Sequence, residues 1–162
     1  SVRVPLILAG DVIDPALHGT IDSRPAMLTD IVPTICHYAG ISVDPRLPGL
    51  NLTGEHKHAG AFCEFHGGGA ECPQVAPAWM WRTQKYKLIL YRPGTVIDDA
   101  PLKGELYDLE NDPYEWYNRF DDPQFEKVRF ELMCALLNHI AGAFAKGPAY
   151  GDYAGMKNIQ ST

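Results

Sequence analysis

Two hydrophobic patterns follow one another in the first 50 residues. Residues 4–9 are almost uniformly apolar and end at Gly10, which predicts a strand buried on both faces, as in a parallel sheet covered by helices. Between Asp30 and Gly40, apolar residues recur every three or four positions, and this spacing predicts a helix that Asp30 caps and Gly40 ends. The predicted apolar face comprises Ile31, Ile35, Tyr38 and Ala39. Together these elements indicate an α/β unit in residues 1–50.

The pattern changes beyond residue 60. Residues 45–60 are rich in proline, glycine and polar residues, so we interpret them as a connection that contains the subdomain boundary. The strands predicted next, in antiparallel pairing, are residues 61–65, 78–83, 85–91 and 105–109. Apolar residues then recur at helical spacing from Asp122, the predicted N-cap, to about Phe144. The predicted fold class is α/β, and the chain itself is expected to be an α+β fragment of such a fold. It comprises the unit of residues 1–50, a sheet and helix subdomain of residues 51–148, and a tail of residues 149–162.

Composition excludes several classes of function. The chain has 162 residues, 46% of them hydrophobic, and a formal charge of -6, so neither nucleic acid nor a membrane is expected as a partner. No apolar run approaches the roughly 20 residues of a membrane span. The four cysteines form no CxxC pair, which favours free thiols over a disulfide framework or a zinc ribbon. The chain starts at Ser1 without a methionine, so we interpret it as a fragment whose cellular compartment stays open.

Four segments of the sequence resemble sulfatases of the alkaline phosphatase superfamily. In order, they are VRVPLI at residues 2–7, DIVPT at 30–34 with AGI at 39–41, WRT with KYK at 81–87, and ELYDLENDP at 105–113 with Glu115 and Asn118. Together they resemble the C-terminal third of that family. The resemblance implies that residues 1–50 end a large alkaline-phosphatase-like α/β domain. A small antiparallel four-stranded sheet packed against a long C-terminal helix is then expected to follow. The motif at residues 105–113 is interpreted as architectural.

The resemblance also implies chemistry that this chain does not carry. Sulfatases use a formylglycine nucleophile, made from the Cys or Ser of a C/S-x-P-x-R motif, together with calcium. None of the cysteines has a proline two positions on, and Ser23 is followed by Pro25 but by Met27 where the arginine belongs. We therefore expect no catalytic residue and no metal ligand here. Calcium and the formylglycine are expected in a full-length parent.

The candidate substrate-binding residues are Glu64, His66 and Arg82. Glu64 and His66 begin a glycine-rich loop that could approach a ligand closely, and Arg82 could contact an anion. The alternatives are a solvated loop for the first two and an ordinary salt bridge for Arg82. His58 is predicted to lie on a solvated connection.

The leading functional hypothesis is the C-terminal part of a sulfuric ester hydrolase that contributes to the substrate pocket and is not catalytic alone. Two alternatives stay open, namely a phosphodiester or phosphonate hydrolase of the same superfamily and a non-catalytic binding module. The expected partners are a sulfated small molecule or carbohydrate and the missing N-terminal sulfatase domain. Without that domain, residues 1–50 should expose apolar surface and the fragment should self-associate. The compartment of the parent stays open, with a periplasmic or secreted parent as one alternative.

Overall fold

Four antiparallel strands form one sheet in the computed structural model, which describes residues 4–44, 47–55, 57–67, 77–91 and 102–145. The strands are β1 (Ala61–Phe65), β2 (Ala78–Arg82), β3 (Tyr86–Tyr91) and β4 (Lys103–Asp108), adjacent in that order. The α-helices are α1 (Ile31–Tyr38) and α2 (Glu126–Ala145). Short 3-10 helices cover Pro15–Leu17, Leu28–Asp30 and Pro123–Phe125. The predicted mixed α/β fold, with a four-stranded antiparallel sheet and a C-terminal helix, is confirmed.

One face of the sheet carries the hydrophobic core. The strand register places Trp81 beside Leu88 and Leu88 beside Leu106, so a row of large apolar side chains crosses β2, β3 and β4. Leu88 and Leu106 are fully buried, as is Leu136 of α2, which belongs to the same cluster. Helix α2 therefore packs on this face, and the burial of its apolar residues stabilises both elements.

Helix α2 is preceded by the predicted cap. Asp122 Oδ1 accepts a hydrogen bond from the N–H of Gln124 at 3.0 Å. Pro123–Phe125 form a 3-10 turn, after which α2 begins at Glu126. Proline fits the first turn because an N–H group there would lack an intrahelical partner. The N-cap prediction at Asp122 is confirmed.

Side-chain hydrogen bonds hold the segment that follows β4 against the sheet. Asp108 Oδ1 accepts from the N–H of Glu110 at 3.2 Å. Asn118 Oδ1 accepts from the N–H of Leu106 at 3.0 Å and from that of Phe120 at 2.9 Å. These contacts satisfy backbone groups on the edge strand β4 and in the segment that follows it, and they set the direction of that segment. The motif at residues 105–113 therefore has the architectural role that its sequence indicates.

The other face of the sheet carries a polar network. Glu105 accepts hydrogen bonds from the hydroxyls of Tyr91 and Tyr107, the second at 2.8 Å. The hydrogen bond to Glu105 raises the pKa of Tyr91 to about 12, and burial raises the pKa of Tyr107 as well. Lys87 forms an ion pair with Glu115, whose φ of 59° lies in the left-handed region. The ion pair ties the loop after β4 to β3.

Residues 4–9 do not form the predicted strand. They lie in irregular structure and are exposed, with Val4 69% and Ile7 81% accessible to solvent. A strand forms only where a neighbouring strand supplies its hydrogen bonds, and no strand of the described ranges pairs with this segment. An apolar run is therefore not sufficient for a strand, and the prediction is wrong for the chain in this structure.

The face that α1 buries also differs from the predicted one. Ile35 is 61% exposed, whereas Thr34 is buried. The Thr34 hydroxyl donates to the carbonyl of Asp30 at 2.7 Å and accepts from the N–H of Leu52 at 2.9 Å. Helix α1 thus presents a polar side chain to the segment that covers it. Its end is as predicted, since Gly40 adopts a φ of 68° that favours glycine.

Cys36, Cys63 and Cys134 are free, as predicted, whereas Cys72 and the tail of residues 149–162 lie outside the described residues. No helix within the described ranges is long and apolar enough to cross a membrane. The subdomain boundary near residue 50 stays a prediction.

Candidate functional site

Asp30 is the fully buried carboxylate at the centre of the candidate site. Its Oδ1 accepts hydrogen bonds from the N–H of Leu50 at 2.8 Å and from Nε2 of His58 at 2.7 Å. Its Oδ2 accepts from the N–H of Met27 at 2.7 Å. Asp30 occupies the predicted N-cap position of α1, but its side chain makes no capping hydrogen bond to that helix. Asp30 instead joins the turn before α1 to Leu50 and His58, which lie 20 and 28 positions further along the chain.

The connection that carries His58 is fixed to the rest of the chain. The His58 side chain is only 17% exposed, so its predicted place on a solvated connection is wrong. Arg24 donates to the carbonyls of Leu52 at 3.2 Å and Gly54 at 3.4 Å, and it also pairs with Asp22. That hydrogen-bonded pair lowers the pKa of the Asp22 carboxyl. Arg24 thereby holds the connection in place.

A cavity of about 560 Å³ opens beside this connection. The ionisable residues in its lining are Asp22, Arg24, Asp30, Lys57, His58 and Arg82. Much of the remaining lining is apolar and comes from residues 4–21 and 50–52. Mixed linings of this kind suit a small organic ligand with a few polar groups.

Arg82 reaches this cavity from the end of β2, beside a close backbone approach. Gly60 is buried against the indole ring of Trp81, and a Cβ on Gly60 would lie only 2.5 Å from that ring. Only glycine allows the connection to pass β2 at this distance. The approach brings His58, two residues before Gly60, and Arg82, next to Trp81, into the lining of one cavity. No carboxylate in the described part of the chain forms an ion pair with Arg82.

Glu64 and His66 lie elsewhere on the sheet. Glu64 Oε1 accepts a hydrogen bond from Nε1 of Trp79 at 2.9 Å. The His66 side chain is 79% exposed, and its Nε2 is 3.9 Å from Glu64 Oε2. The register pairs residue 61 with Arg82 and residue 65 with residue 78, so His66 and Arg82 are at opposite ends of the β1–β2 pair. The structure does not bring the three predicted substrate-binding residues together. The rest of the loop, from Gly68 to Glu71, lies outside the described residues.

Sequence reasoning missed Asp30, Lys57 and His58 as members of one site. An aspartate directly before an apolar helical stretch has the pattern of an N-cap, and a histidine in a polar connection has the pattern of a solvated residue. Nothing in the linear pattern indicates that these two side chains, 28 positions apart, form a hydrogen bond.

The described residues do not provide a calcium site. No group of three or more His, Cys, Asp or Glu side chains in the described ranges is arranged to hold a metal ion. Both oxygens of Asp30 accept hydrogen bonds from N–H donors, whereas calcium takes about six to eight oxygen ligands. The described residues therefore offer no ligand set for calcium.

Comparison with known proteins finds both a matching family model and similar sequences. Residues 1–141 match the family model described as N-sulphoglucosamine sulphohydrolase, C-terminal. Over 141 residues the chain is 30% identical to the uncharacterized sulfatase YidJ of Escherichia coli K12, an alignment that covers 85% of this chain and 26% of YidJ. The chain thus spans about a quarter of the length of this curated relative.

Two solved structures are also similar. The first was determined in complex with its substrate, D-glucosamine-2-N,6-O-disulfate; the TM-score is 0.60 at 26% identity, over 74% of this chain and 24% of that chain. The second is the phosphonate monoester hydrolase of Agrobacterium radiobacter, with a TM-score of 0.55 at 26% identity, over 70% of this chain and 24% of that chain. Each likeness covers most of this chain and about a quarter of the other.

Proposed function

The chain belongs to the N-sulphoglucosamine sulphohydrolase C-terminal family, and from this we propose that it is the C-terminal part of a sulfuric ester hydrolase. The observation that carries the proposal is the match of residues 1–141 to the C-terminal family model. The resemblance to sulfatases predicted from four sequence segments is confirmed by the same match. In this proposal the chain forms part of the wall of the substrate pocket and does not catalyse alone.

The apolar surface of residues 4–41 is the proposed contact with a sulfatase α/β domain. More than half of the exposed large hydrophobic side chains of the described residues lie in this part of the chain. Ile7 is 81% exposed, Ile21 96% and Leu28 79%. Concentrated apolar exposure of this kind marks a surface that another folded unit covers. The family match and the quarter-length coverage support an α/β domain as that unit.

On its own, the chain should self-associate through this surface. We expect light scattering to show oligomers whose size increases with protein concentration, and we expect a hydrophobic dye to bind. The reason is that burying exposed apolar surface between two copies of the chain lowers the free energy. The double variant Ile7→Glu with Ile21→Glu should shift the chain toward monomer. Leu137→Glu is the matched control, since Leu137 is 55% exposed but lies on α2. A monomer without dye binding at all concentrations would contradict the proposed contact.

The proposal places the nucleophile and the metal outside this chain. The sequence contains no C/S-x-P-x-R motif, and the described residues do not provide a calcium site. In the complete enzyme, calcium would neutralise charge on the sulfate. The residues of this chain contribute shape, hydrogen bonds and charge to the pocket.

A sulfated carbohydrate is the proposed substrate class. Its support is the family description, which names a sulphoglucosamine, and the similar structure solved with a disulfated glucosamine as its substrate. Phosphonate ester hydrolysis is the second candidate, because the phosphonate monoester hydrolase of Agrobacterium radiobacter is similar at a TM-score of 0.55. Sulfate esters and phosphonate monoesters each carry one negative charge, so the two candidates are separated by comparing the hydrolysis of both ester types in one assay.

The test is an assay of the polypeptide that joins this chain to its α/β domain. We expect hydrolysis of sulfated glucosamines, with a kcat/KM for sulfate esters at least about tenfold above that for a phenyl phosphonate ester. Faster phosphonate hydrolysis would favour the second candidate. Absence of all hydrolysis would leave a non-catalytic binding module, and hydrolysis by the 162-residue chain alone would overturn the proposal.

The same assay examines the loop that begins at Glu64 and His66. Both are proposed to contact the organic portion of the substrate. His66→Ala should then raise KM for a sulfated sugar, because a polar contact to the sugar would be lost. The side chain is 79% exposed, so its replacement should leave the folded structure intact. Kinetics identical to those of the unmodified enzyme would remove this contact from the proposal.

A further inference from the structure

The cavity beside Asp30 has an excess of unpaired positive charge. Its carboxylates are already engaged, since Asp22 pairs with Arg24 and Asp30 accepts from His58 and from two backbone N–H groups. Within the described ranges, neither Lys57 nor Arg82 forms an ion pair with a carboxylate. The charge of Lys57 also lowers the pKa of the Asp22 carboxyl at longer range, but no ion pair forms, so Lys57 and Arg82 are both available to a ligand.

His58 adds a polar group whose orientation is fixed. Nε2 donates to the buried Asp30 carboxylate at 2.7 Å, so Nε2 carries a proton and Nδ1 is the ring nitrogen that Asp30 does not use. Because Asp30 is itself held by the N–H groups of Met27 and Leu50, the imidazole cannot rotate freely. Preorganised polar groups cost less entropy on binding a ligand than mobile ones.

The shape and position of the cavity suit a small saccharide. Its volume of about 560 Å³ falls within the range of pockets for small molecules. Apolar residues of segment 4–8 line it together with the cations, and the same segment belongs to the proposed contact surface for the α/β domain. Ligand pockets occur preferentially at such domain interfaces.

We propose that Lys57 and Arg82 form a subsite for a second anionic group of the sugar, apart from the sulfate that is hydrolysed, and that His58 Nδ1 accepts a hydrogen bond from a hydroxyl of the same sugar. The preferred substrate class is then a saccharide with two anionic groups, such as a disulfated glucosamine. Asp30 acts as a positioning residue that orients His58. This inference rests on the proposed function and deepens it.

The test compares two substrates in the polypeptide that carries this chain and its α/β domain. Arg82→Gln should lower kcat/KM for D-glucosamine-2-N,6-O-disulfate about tenfold, because a hydrogen-bonded charge contact to an anion is lost. Lys57→Gln should lower it about threefold, since Lys57 is exposed and solvent weakens its attraction. Both variants should lower kcat/KM less for 4-nitrophenyl sulfate than for the disulfated glucosamine, because 4-nitrophenyl sulfate has no second anionic group.

Lys85→Gln is the matched control, because the Lys85 ammonium pairs with Glu110 at 2.7 Å and does not line the cavity. It should leave both substrates unaffected. Equal losses on the two substrates for Arg82→Gln, or no loss on either, would overturn the subsite.

A binding measurement separates this inference from the proposed function. The disulfated glucosamine should raise the melting temperature of the same polypeptide, and Arg82→Gln should remove most of that shift. If no sulfate ester is hydrolysed but the shift depends on Arg82, the proposed function fails and the subsite stands. If sulfate esters are hydrolysed and the shift is the same in Arg82→Gln, the subsite fails and the proposed function stands.

Discussion

Asp30→Ala is expected to lower the free energy of unfolding by about 3–5 kcal/mol, as measured by urea denaturation. The carboxylate is fully buried and accepts hydrogen bonds from Met27, Leu50 and His58. Its removal leaves those donors without an acceptor in a place that water reaches poorly, which is costly. The amides of Met27 and Leu50 should also exchange hydrogen faster than before, because they lose their acceptor.

Asp14→Ala is the control for this prediction. Asp14 also accepts a backbone hydrogen bond, from the N–H of Ala16 at 2.9 Å, but it is exposed to solvent. Water can replace the lost contact there, so the expected cost is about 1 kcal/mol or less. Similar losses for the two variants would show that the buried position of Asp30 has no special importance for stability.

Leu136→Ala should lower the free energy of unfolding by about 2–5 kcal/mol. Leu136 is fully buried where α2 packs on the sheet, in the cluster that contains Leu88 and Leu106. Its truncation removes apolar contacts from both elements and leaves a cavity that the sheet cannot fill by a small shift. Thermal or urea unfolding followed by circular dichroism measures the loss.

The next residue provides a matched control for this core variant. Leu137 has the same side chain in the same helix but is 55% exposed. Leu137→Ala should therefore change the free energy of unfolding by about 0.5 kcal/mol or less. Equal effects at the two positions would contradict the packing of α2 on the sheet.

The sheet and the long helix were predictable because their signals are local. The predicted strands are confirmed, with ends that shift by up to two residues, and β4 begins at Lys103 rather than at Glu105. The cap at Asp122 is likewise confirmed. Alternation along a strand and helical spacing along a helix depend on neighbours within a few residues, which the sequence contains. Membership of the sulfatase family was predictable for a different reason, since four short motifs in order identified it.

The candidate site was only partly predictable. Arg82 lies in the cavity lining, whereas Glu64 and His66 are at the other end of the β1–β2 pair, and the substrate-binding role of all three stays a prediction. The short separation of Glu64 and His66 along the sequence does not indicate how far either residue lies from Arg82 in the folded chain. The cavity instead contains Lys57 and His58, whose polar surroundings in the sequence indicated a solvated connection.

The sequence by itself determined the antiparallel sheet, the helix that covers it and the family to which the chain belongs. Only the tertiary structure decided that Asp30 is a buried acceptor for His58, that α1 buries Thr34 rather than Ile35, and that residues 4–9 are not a strand. The physical reason is the same in each case. Burial, ion pairing and strand formation depend on partners that are distant in sequence or that another domain would supply, and no local pattern records them.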